Sequence, residues 1–262
     1  MKKTYFILFL MALFVGAASV YGGTIYVPDN YSTIQGAIDA AKDGDVIIVR
    51  NETYYENLVI NKSITLRSEN GPGNCIIDGN NSGNVIEINA DGVIIEGFRI
   101  RNSGRSWPYA GIKVNSDSNN ITNNNISNNE CGIYVYNSSN NGIIDNNILN
   151  NSLSVKLRSS CNNSIIGNNI SNNKYDGIYV YNSINNCIVD NSITSNNKHG
   201  IYVYNSSNNS IVDNSITSNN EYGISLSSSS NNGIIDNNIS NNRYDGIYVY
   251  NSSNNSIVDN NI

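Results

Sequence analysis

The segment that begins at Gly200 reads GIYVYNSSNNSIVDNSITSNN as far as Asn220. Near-copies of it recur along the second half of the chain, with starts at residues 111, 132, 154, 177, 200, 223 and 246. Successive starts are 21, 22, 23, 23, 23 and 23 residues apart. A fixed period of this length predicts a solenoid in which each repeat forms one rung.

Within a rung the hydrophobic period is two. The alternation over Ile201–Tyr204 places two apolar side chains on one face of a strand and two tyrosines on the other. Further short strands are predicted at Ile211 and from Ile216, separated by corners rich in Asn and Ser. Three short strands in each rung of about 23 residues predict an all-β fold, a parallel β-helix, and the general preference of parallel crossovers makes it right-handed.

Asparagine dominates the composition, with 55 residues in the chain and 44 of them between residues 111 and 262. One column of asparagines falls just before the third strand of each rung. Asn tolerates left-handed backbone, which suits a tight corner, and stacked amides can hydrogen-bond from rung to rung. The column therefore predicts a structural Asn ladder made by Asn124, Asn146, Asn168, Asn191, Asn214, Asn237 and Asn260.

Residues 1–22 have the pattern of a secretory signal peptide. Lys2 and Lys3 precede an apolar run over Thr4–Ala18, and small residues then allow cleavage between Ala18 and Gly22. No second long apolar stretch follows, so we expect no membrane span after cleavage. The segment predicts a chain that is secreted to the cell surface or to a periplasm-like space.

The remaining chain divides into an N-terminal part, residues 23–110, and the regular repeats, residues 111–262. Ser32 and Gln35 have the spacing of a capping box, so a short helix is predicted to cap the open end of the solenoid before Gly44. Irregular first rungs should follow it. The sequence stops inside a rung at Ile262 with no polar cap, which suggests a truncated product or an end that associates with another molecule.

Two stretches resemble known families. Residues 26–49, YVPDNYSTIQGAIDAAKDGDVIIV, are similar to the start of pectin-lyase-like β-helix proteins, and Tyr54-Tyr55-Glu56 resembles a motif of pectin methylesterases. The repeats resemble the NosD-like family, also described as carbohydrate-binding and sugar-hydrolysis repeats of secreted surface proteins. The resemblance implies the β-helix fold and a carbohydrate-related role, whereas the fold by itself hosts many activities.

Several functions are disfavoured by composition. The formal net charge of −6 argues against nucleic-acid binding, because few basic residues are available to neutralise phosphates. The NosD name is associated with copper, but after signal cleavage the chain keeps one histidine, His199, no methionine and four cysteines in unrelated columns. A copper site needs such ligands clustered in space, so copper is disfavoured and no cofactor is expected apart from Ca²⁺.

Two columns of outward tyrosines predict an exposed aromatic face on the first strand of the rungs. Aromatic rings suit the apolar faces of sugars, and phenols can hydrogen-bond sugar hydroxyls, although Tyr also simply favours strands. The candidate carbohydrate-binding residues are Tyr134, Tyr136, Tyr179, Tyr181, Tyr202, Tyr204, Tyr248 and Tyr250. Lys156 and Arg158 take the Tyr places in one rung and are the candidate catalytic residues, and Ser225 and Ser227 take them in another.

An acidic column precedes the Asn ladder, with Asp145, Asp190, Asp213, Asp236 and Asp259 in successive rungs and Gly167 in one. Like charges one strand apart repel, so the column must be hydrated, protonated or bridged by cations. Asp190, Asp213 and Asp236 are therefore the candidate Ca²⁺ ligands.

The sequence favours a secreted cell-surface β-helix that interacts with carbohydrate or acts structurally, with a polysaccharide or surface glycan as partner. Two alternatives stay open. The first is a polysaccharide lyase, epimerase or hydrolase that works on the tyrosine face. The second is a surface or adhesion scaffold that associates end to end through its last rung.

Overall fold

The computed structural model describes residues 22–262, so the predicted signal peptide lies, apart from Gly22, outside the described residues. The chain winds into a right-handed parallel β-helix of about ten turns. It has three parallel sheets and one short helix, as the repeats predicted.

The three sheets run along the solenoid, and each complete rung contributes one strand to each sheet. The first sheet contains Leu58–Ile60, Ile86–Ile88, Ala110–Val114, Cys131–Tyr136, Leu153–Arg158, Ile178–Tyr181, Ile201–Tyr204, Ile224–Ser227 and Ile247–Tyr250. The second contains Thr24–Val27, Val46–Val49, Thr65–Ser68, Ile94–Glu96, Asn120–Thr122, Gly142–Ile144, Ser164–Ile166, Cys187–Val189, Ser210–Val212, Gly233–Ile235 and Ser256–Val258. The third contains Thr53–Tyr54, Ile76–Asp78, Arg99–Arg101, Asn125–Ser127, Asn147–Leu149, Asn169–Ser171, Ser192–Thr194, Ser215–Thr217 and Asn238–Ser240.

The core is a set of apolar columns inside the coil. In each strand the side chains alternate inward and outward, so that Ile201 and Val203 are fully buried while Tyr204 is exposed. Parallel pairing in register places like residues on like, for example Ile211 beside Ile188 and Ile234. Burying one such side chain contributes about 1.5–3 kcal/mol, and the columns extend this along the whole coil.

Buried amides complete the interior at the corners. The side-chain amide of each Asn in the predicted ladder donates to the carbonyl oxygen of the next, at 2.9–3.1 Å. The ladder residues are buried or half-buried and have no positive φ; the left-handed residue lies one position earlier, for example Asp213 with φ 55°. We predicted left-handed backbone at the ladder Asn itself, whereas the residue with positive φ is the preceding one, in the acidic column.

Three more ladders were not predicted. Two consist of asparagines: Asn119, Asn141, Asn163, Asn186, Asn209, Asn232 and Asn255 in one, and Asn129, Asn151, Asn173, Asn196, Asn219 and Asn242 in the other. The third consists of serines whose hydroxyls accept from the backbone of the previous rung: Ser160, Ser183, Ser206, Ser229 and Ser252. The four ladders supply partners for polar groups that the corners would otherwise bury unpaired.

The helix spans Ile34–Ala40 and packs on the first strands of the coil. Its N-cap is Thr33, whose hydroxyl accepts from the backbone N–H of Gly36 at 3.1 Å. The predicted capping box of Ser32 and Gln35 is therefore wrong. The helix does cover apolar core, since Ile34, Ala37 and Ile38 are buried.

A carboxylate from the next turn of the coil, that of Glu56, caps the first backbone N–H groups of the helix. The two oxygens of Glu56 accept from the backbone N–H groups of Ile34 and Gln35, each at 2.9 Å. Tyr54, in the same motif, is buried and donates to the carbonyl of Arg50. Within the Tyr54-Tyr55-Glu56 motif, Glu56 thus attaches the helix to the next turn.

Candidate functional site

The outward side of the first sheet carries the candidate residues, and we call it the tyrosine face. It is formed by two columns of outward positions, and strand register fixes their order. The first column is Tyr134, Lys156, Tyr179, Tyr202, Ser225 and Tyr248, and the second is Tyr136, Arg158, Tyr181, Tyr204, Ser227 and Tyr250.

Rings on neighbouring rungs stack on each other instead of lying flat on the sheet. The ring centroids of Tyr179 and Tyr202 are 5.1 Å apart with planes 7° from parallel, and those of Tyr181 and Tyr204 are 5.6 Å apart at 6°. The stacked rings cover each other's faces and present edges and phenol groups to solvent. Burial raises the pKa of Tyr179 to about 12, so its phenol remains a hydrogen-bond donor at neutral pH.

One predicted member of the face is not exposed. Tyr134 is 3% exposed because Trp107 packs against it, with ring centroids 4.9 Å apart. Trp107 belongs to the longer corner before Ala110 and is itself exposed. The exposed face that the sequence predicted therefore excludes Tyr134 and includes Trp107.

Lys156 and Arg158 fill the rung between two tyrosine rungs. The Lys156 ammonium lies 4.2 Å from the ring centroid of Trp107 and 4.8 Å from that of Tyr179. The Arg158 guanidinium lies 5.7 Å from the centroids of both Tyr136 and Tyr181. Burial lowers the pKa of Lys156. Both cations are held by aromatic rings on either side.

The rung with Ser225 and Ser227 has small side chains at the two outward positions, and these two positions differ in exposure. Ser225 is buried, and Tyr222 from the preceding corner stacks on Tyr248 at 4.5 Å. Ser227 is half-buried and separates Tyr204 from Tyr250, which are 36% and 61% exposed. Among the described residues, no aromatic contact joins Tyr204 to Tyr250. We call the space bounded by Tyr204, Ser227 and Tyr250 the serine slot.

The serine slot has dimensions that suit a flat group. Strands two apart in a sheet are separated by about 9.6 Å. A flat group in contact with a ring on each side needs roughly 7–8 Å between the ring planes. The Arg158 guanidinium occupies the matching two-strand space between Tyr136 and Tyr181, which shows that such a space admits a planar group.

A carboxylate–histidine–carboxylate group borders the face and was missed by the sequence analysis. The ring nitrogens of His199 lie 2.7 Å from Asp176 Oδ1 and 3.2 Å from Glu221 Oε2, and the ring stacks on Tyr202 at 4.8 Å. Because both nitrogens have carboxylate partners, the group joins three consecutive rungs. The sequence does mark two members of the group, since Asp176 and His199 are unlike residues at the equivalent position before the Gly of their rungs.

The acidic column lies away from the tyrosine face, at the corner between the second and third sheets. Its Asp residues all have positive φ, as do Asn123 and Gly167 in the same column. Tolerance of left-handed backbone thus accounts for the residue types at this column. Burial raises the pKa of Asp213, and the negative charges of Asp190 and Asp236 on the neighbouring rungs raise it further. No group of three His, Cys, Asp or Glu side chains in residues 22–262 is arranged to hold a metal ion, and the Ca²⁺ ligands stay a prediction.

The family model described as a right handed beta helix region matches residues 110–262, more than half of the chain. The chain belongs to the right-handed β-helix family. The NosD-like subfamily is a finer assignment that stays a prediction. In the described part of this β-helix protein, no helix is long and apolar enough to cross a membrane.

A curated relative and several solved structures are similar to this β-helix protein. A cell surface glycoprotein of Methanothermus fervidus is 33% identical over 133 residues, which are 48% of this chain and 21% of the relative. The chain thus aligns with about a fifth of that protein's length.

Three solved structures show the fold. Pectate lyase Pel9A has a TM-score of 0.65 at 16% identity, covering 90% of this chain and 76% of its own. Dettilon tailspike protein has a TM-score of 0.64 at 15% sequence identity, and the match covers 91% of this chain and 62% of the tailspike chain. The A-module of Azotobacter vinelandii mannuronan C-5 epimerase AlgE6 has a TM-score of 0.53 at 14% sequence identity, and the match covers 87% of this chain and 93% of the module.

Proposed function

We propose that this β-helix protein is a secreted, cell-surface protein that binds polysaccharide on the tyrosine face, with the serine slot as the site that receives a sugar ring. The serine slot carries the proposal. Elsewhere on the face the rings stack on their neighbours, whereas here Ser227 separates Tyr204 from Tyr250 and, among the described residues, no ring contact joins the two.

The slot combines apolar walls with a polar floor. Ring faces contact the C–H faces of a pyranose, and hydroxyl groups bond its hydroxyls. The Ser227 hydroxyl lies at the floor, where it can donate to and accept from a sugar hydroxyl. These groups support binding by contact and hydrogen bonding.

The comparisons support a carbohydrate-related role at the cell surface. The curated relative is named a cell surface glycoprotein, and the solved structures include a pectate lyase and a mannuronan epimerase. They do not specify what this chain binds, so the proposal rests on the slot.

The test fills the serine slot. We expect Ser227→Tyr to restore an unbroken ring column, to leave the fold intact, and to abolish retardation in native gels that contain β-glucan, dextran or polygalacturonate. Ser215→Tyr is the matched control, because Ser215 is an exposed outward residue of the third sheet and receives the same side chain.

Two results would contradict the proposal. If the mobility of the wild-type protein is unchanged in every gel, the protein does not bind these polysaccharides and the proposal is wrong. Full retardation of the Ser227→Tyr protein would place the binding site outside the slot.

A further inference from the structure

Beyond the slot, the tyrosine face holds two cations that lack carboxylate partners. Within residues 22–262, neither the Lys156 ammonium nor the Arg158 guanidinium lies within 4.0 Å of a carboxylate oxygen. The Arg158 guanidinium has the neutral phenol of Tyr134 beside it, which does not compensate its charge. Both side chains are half-buried, so solvent reaches them only from the face.

The nearest acidic candidate is already engaged. Asp176 Oδ1 accepts from the backbone N–H of His199 at 3.2 Å and lies 2.7 Å from its Nδ1. Glu221 is bound to the other ring nitrogen of the same histidine. The two carboxylates at the edge of the face are therefore directed to His199.

The rest of the face does not compensate the two charges. From Tyr134 to Tyr250 its two columns contain Tyr, Ser, Lys and Arg and no Asp or Glu. This contrasts with the chain as a whole, whose formal net charge is −6. An unpaired half-buried charge is costly unless a partner of opposite sign is bound.

Spacing suits a bound anion that contacts both cations. Residues two apart in a strand point to the same side, about 6.6 Å apart along it. Stacking between aromatic rings fixes the Arg158 guanidinium plane, and a guanidinium binds a carboxylate or sulfate by paired hydrogen bonds. The Lys156 ammonium can then add a point charge from the neighbouring column.

We propose that Lys156 and Arg158 form a subsite for an acidic sugar residue, so that the polysaccharide bound on the tyrosine face is anionic. The inference rests on the proposed function and names its ligand class. The subsite lies three rungs from the serine slot, about 14 Å along the axis. One polysaccharide chain running along the solenoid can span both.

The experiment measures affinity for polygalacturonate and for its fully methyl-esterified form, which keeps the backbone and loses the charge. We expect tighter binding of polygalacturonate, weakened by added NaCl. The double variant Lys156→Gln/Arg158→Gln should lose about tenfold or more of that affinity and keep its affinity for the ester, since a buried charged contact contributes about 1.4 kcal/mol or more.

The matched control is Lys174→Gln/Arg243→Gln. It removes one Lys and one Arg that also lie over tyrosine rings, 5.4 Å from Tyr175 and 5.5 Å from Tyr244, but at exposed corner positions. The control changes net charge equally, so equal losses in both double variants would overturn the subsite. Circular dichroism of each variant verifies that it folds.

Other outcomes separate this inference from the proposed function. Equal affinity for polygalacturonate and its ester, both lost in Ser227→Tyr, would overturn the anionic subsite and retain polysaccharide binding. Absence of binding to either form and to dextran would overturn both. Binding of dextran sulfate is measured as well. If dextran sulfate binds more tightly than polygalacturonate and the Lys156→Gln/Arg158→Gln variant loses this binding, the subsite is supported and sulfate is its anion.

Discussion

Each regular rung carries left-handed residues at its corners, and each of them precedes an inward polar side chain. In the Gly200 rung the left-handed residues are Asn205, Asn208, Asp213 and Ser218. The side chains that follow are Ser206, Asn209, Asn214 and Asn219. The positive φ reverses the chain direction, and the next side chain then satisfies carbonyls inside the corner. The abundance of Asn thus has two separate causes, backbone conformation and buried hydrogen bonding.

Asn168 offers a test of the buried role. Its amide donates to Ile143 O, Ile166 O and Asn191 Oδ1, so Asn168→Ala leaves these buried groups without a partner. We expect a loss of about 2–4 kcal/mol in the free energy of unfolding, measured by chemical denaturation. Asn169→Ala, the exposed neighbour, should change it by less than about 0.5 kcal/mol. Equal losses at the two positions would show that burial in the ladder has no special role.

Asp213 tests the conformational role and predicts a pH dependence. Its pKa is raised in the folded state, so the folded protein favours the protonated carboxyl, and ionisation destabilises the fold as pH rises through that pKa. Asn tolerates the same backbone, as Asn123 shows in this column. Asp213→Asn should therefore raise the denaturation midpoint at pH 7.

The gain should shrink as the pH falls below 3.8, the ordinary pKa of the carboxyl, because the wild-type side chain is then neutral as well. Glu52→Gln removes an exposed carboxylate outside the column and serves as the control. A gain that persists unchanged at low pH would exclude charge repulsion as its cause.

At the scale of single strands, the early rungs follow the pattern read from sequence. The apolar stretches Val46–Val49 and Leu58–Ile60 are strands, and the apolar stretch Ile64–Leu66 overlaps the strand Thr65–Ser68. Period two and in-register stacking are local properties that sequence records directly. The two-residue strand Thr53–Tyr54 was missed because so short a strand has no period.

The face could be predicted only as two columns of residues. That Tyr134 is covered depends on Trp107, which comes from a corner outside the repeat, and sequence does not fix where that corner folds. Ring orientation likewise follows from packing between rungs, so the sequence does not specify which ring faces are covered. The His199 group was missed because its three members come from three different rungs.

Ser154 gives a prediction for a single strand. It stands where neighbouring rungs have Gly132 and Gly177, is fully buried, and its hydroxyl has no hydrogen-bond partner among the described residues. Ser154→Ala keeps the same Cβ and removes the unpaired hydroxyl. We expect a gain of about 1 kcal/mol in the free energy of unfolding, with no gain for exposed Ser192→Ala. A loss in Ser154→Ala would indicate that the hydroxyl does have a partner.

For the whole molecule, stability is a sum of rungs and of the interfaces between neighbours. The strand Ile224–Ser227 pairs with Ile201–Tyr204 in the same register that Ile201–Tyr204 uses with Ile178–Tyr181. Equivalent interfaces make one rung replaceable by the next. The solenoid should therefore accept changes in length that are whole rungs and reject others.

Deletion of residues 200–222 tests this property. It joins His199 to Gly223 and keeps every column, so we expect a folded protein with unchanged circular dichroism per residue. Tyr181 then takes the place of Tyr204 across from Ser227, so binding in the serine slot should persist. Deletion of residues 200–209 removes one strand of the first sheet and the corner after it, and should abolish cooperative unfolding. A folded product from the second deletion would contradict the rung-by-rung description.

The inward direction of the ladders also governs where this chain can be glycosylated. In a strand-like run a residue two positions after an inward Asn also points inward, and after the ladder Asn214 that residue is the buried Ile216. No ladder Asn is followed two residues later by Ser or Thr, so none begins an Asn-x-Ser/Thr acceptor sequence. The fifteen such sequences in the chain all begin at exposed or half-buried asparagines, among them Asn137, Asn205 and Asn251. An oligosaccharide attached at an exposed acceptor such as Asn137, Asn205 or Asn251 would extend into solvent and leave the buried amide ladders intact.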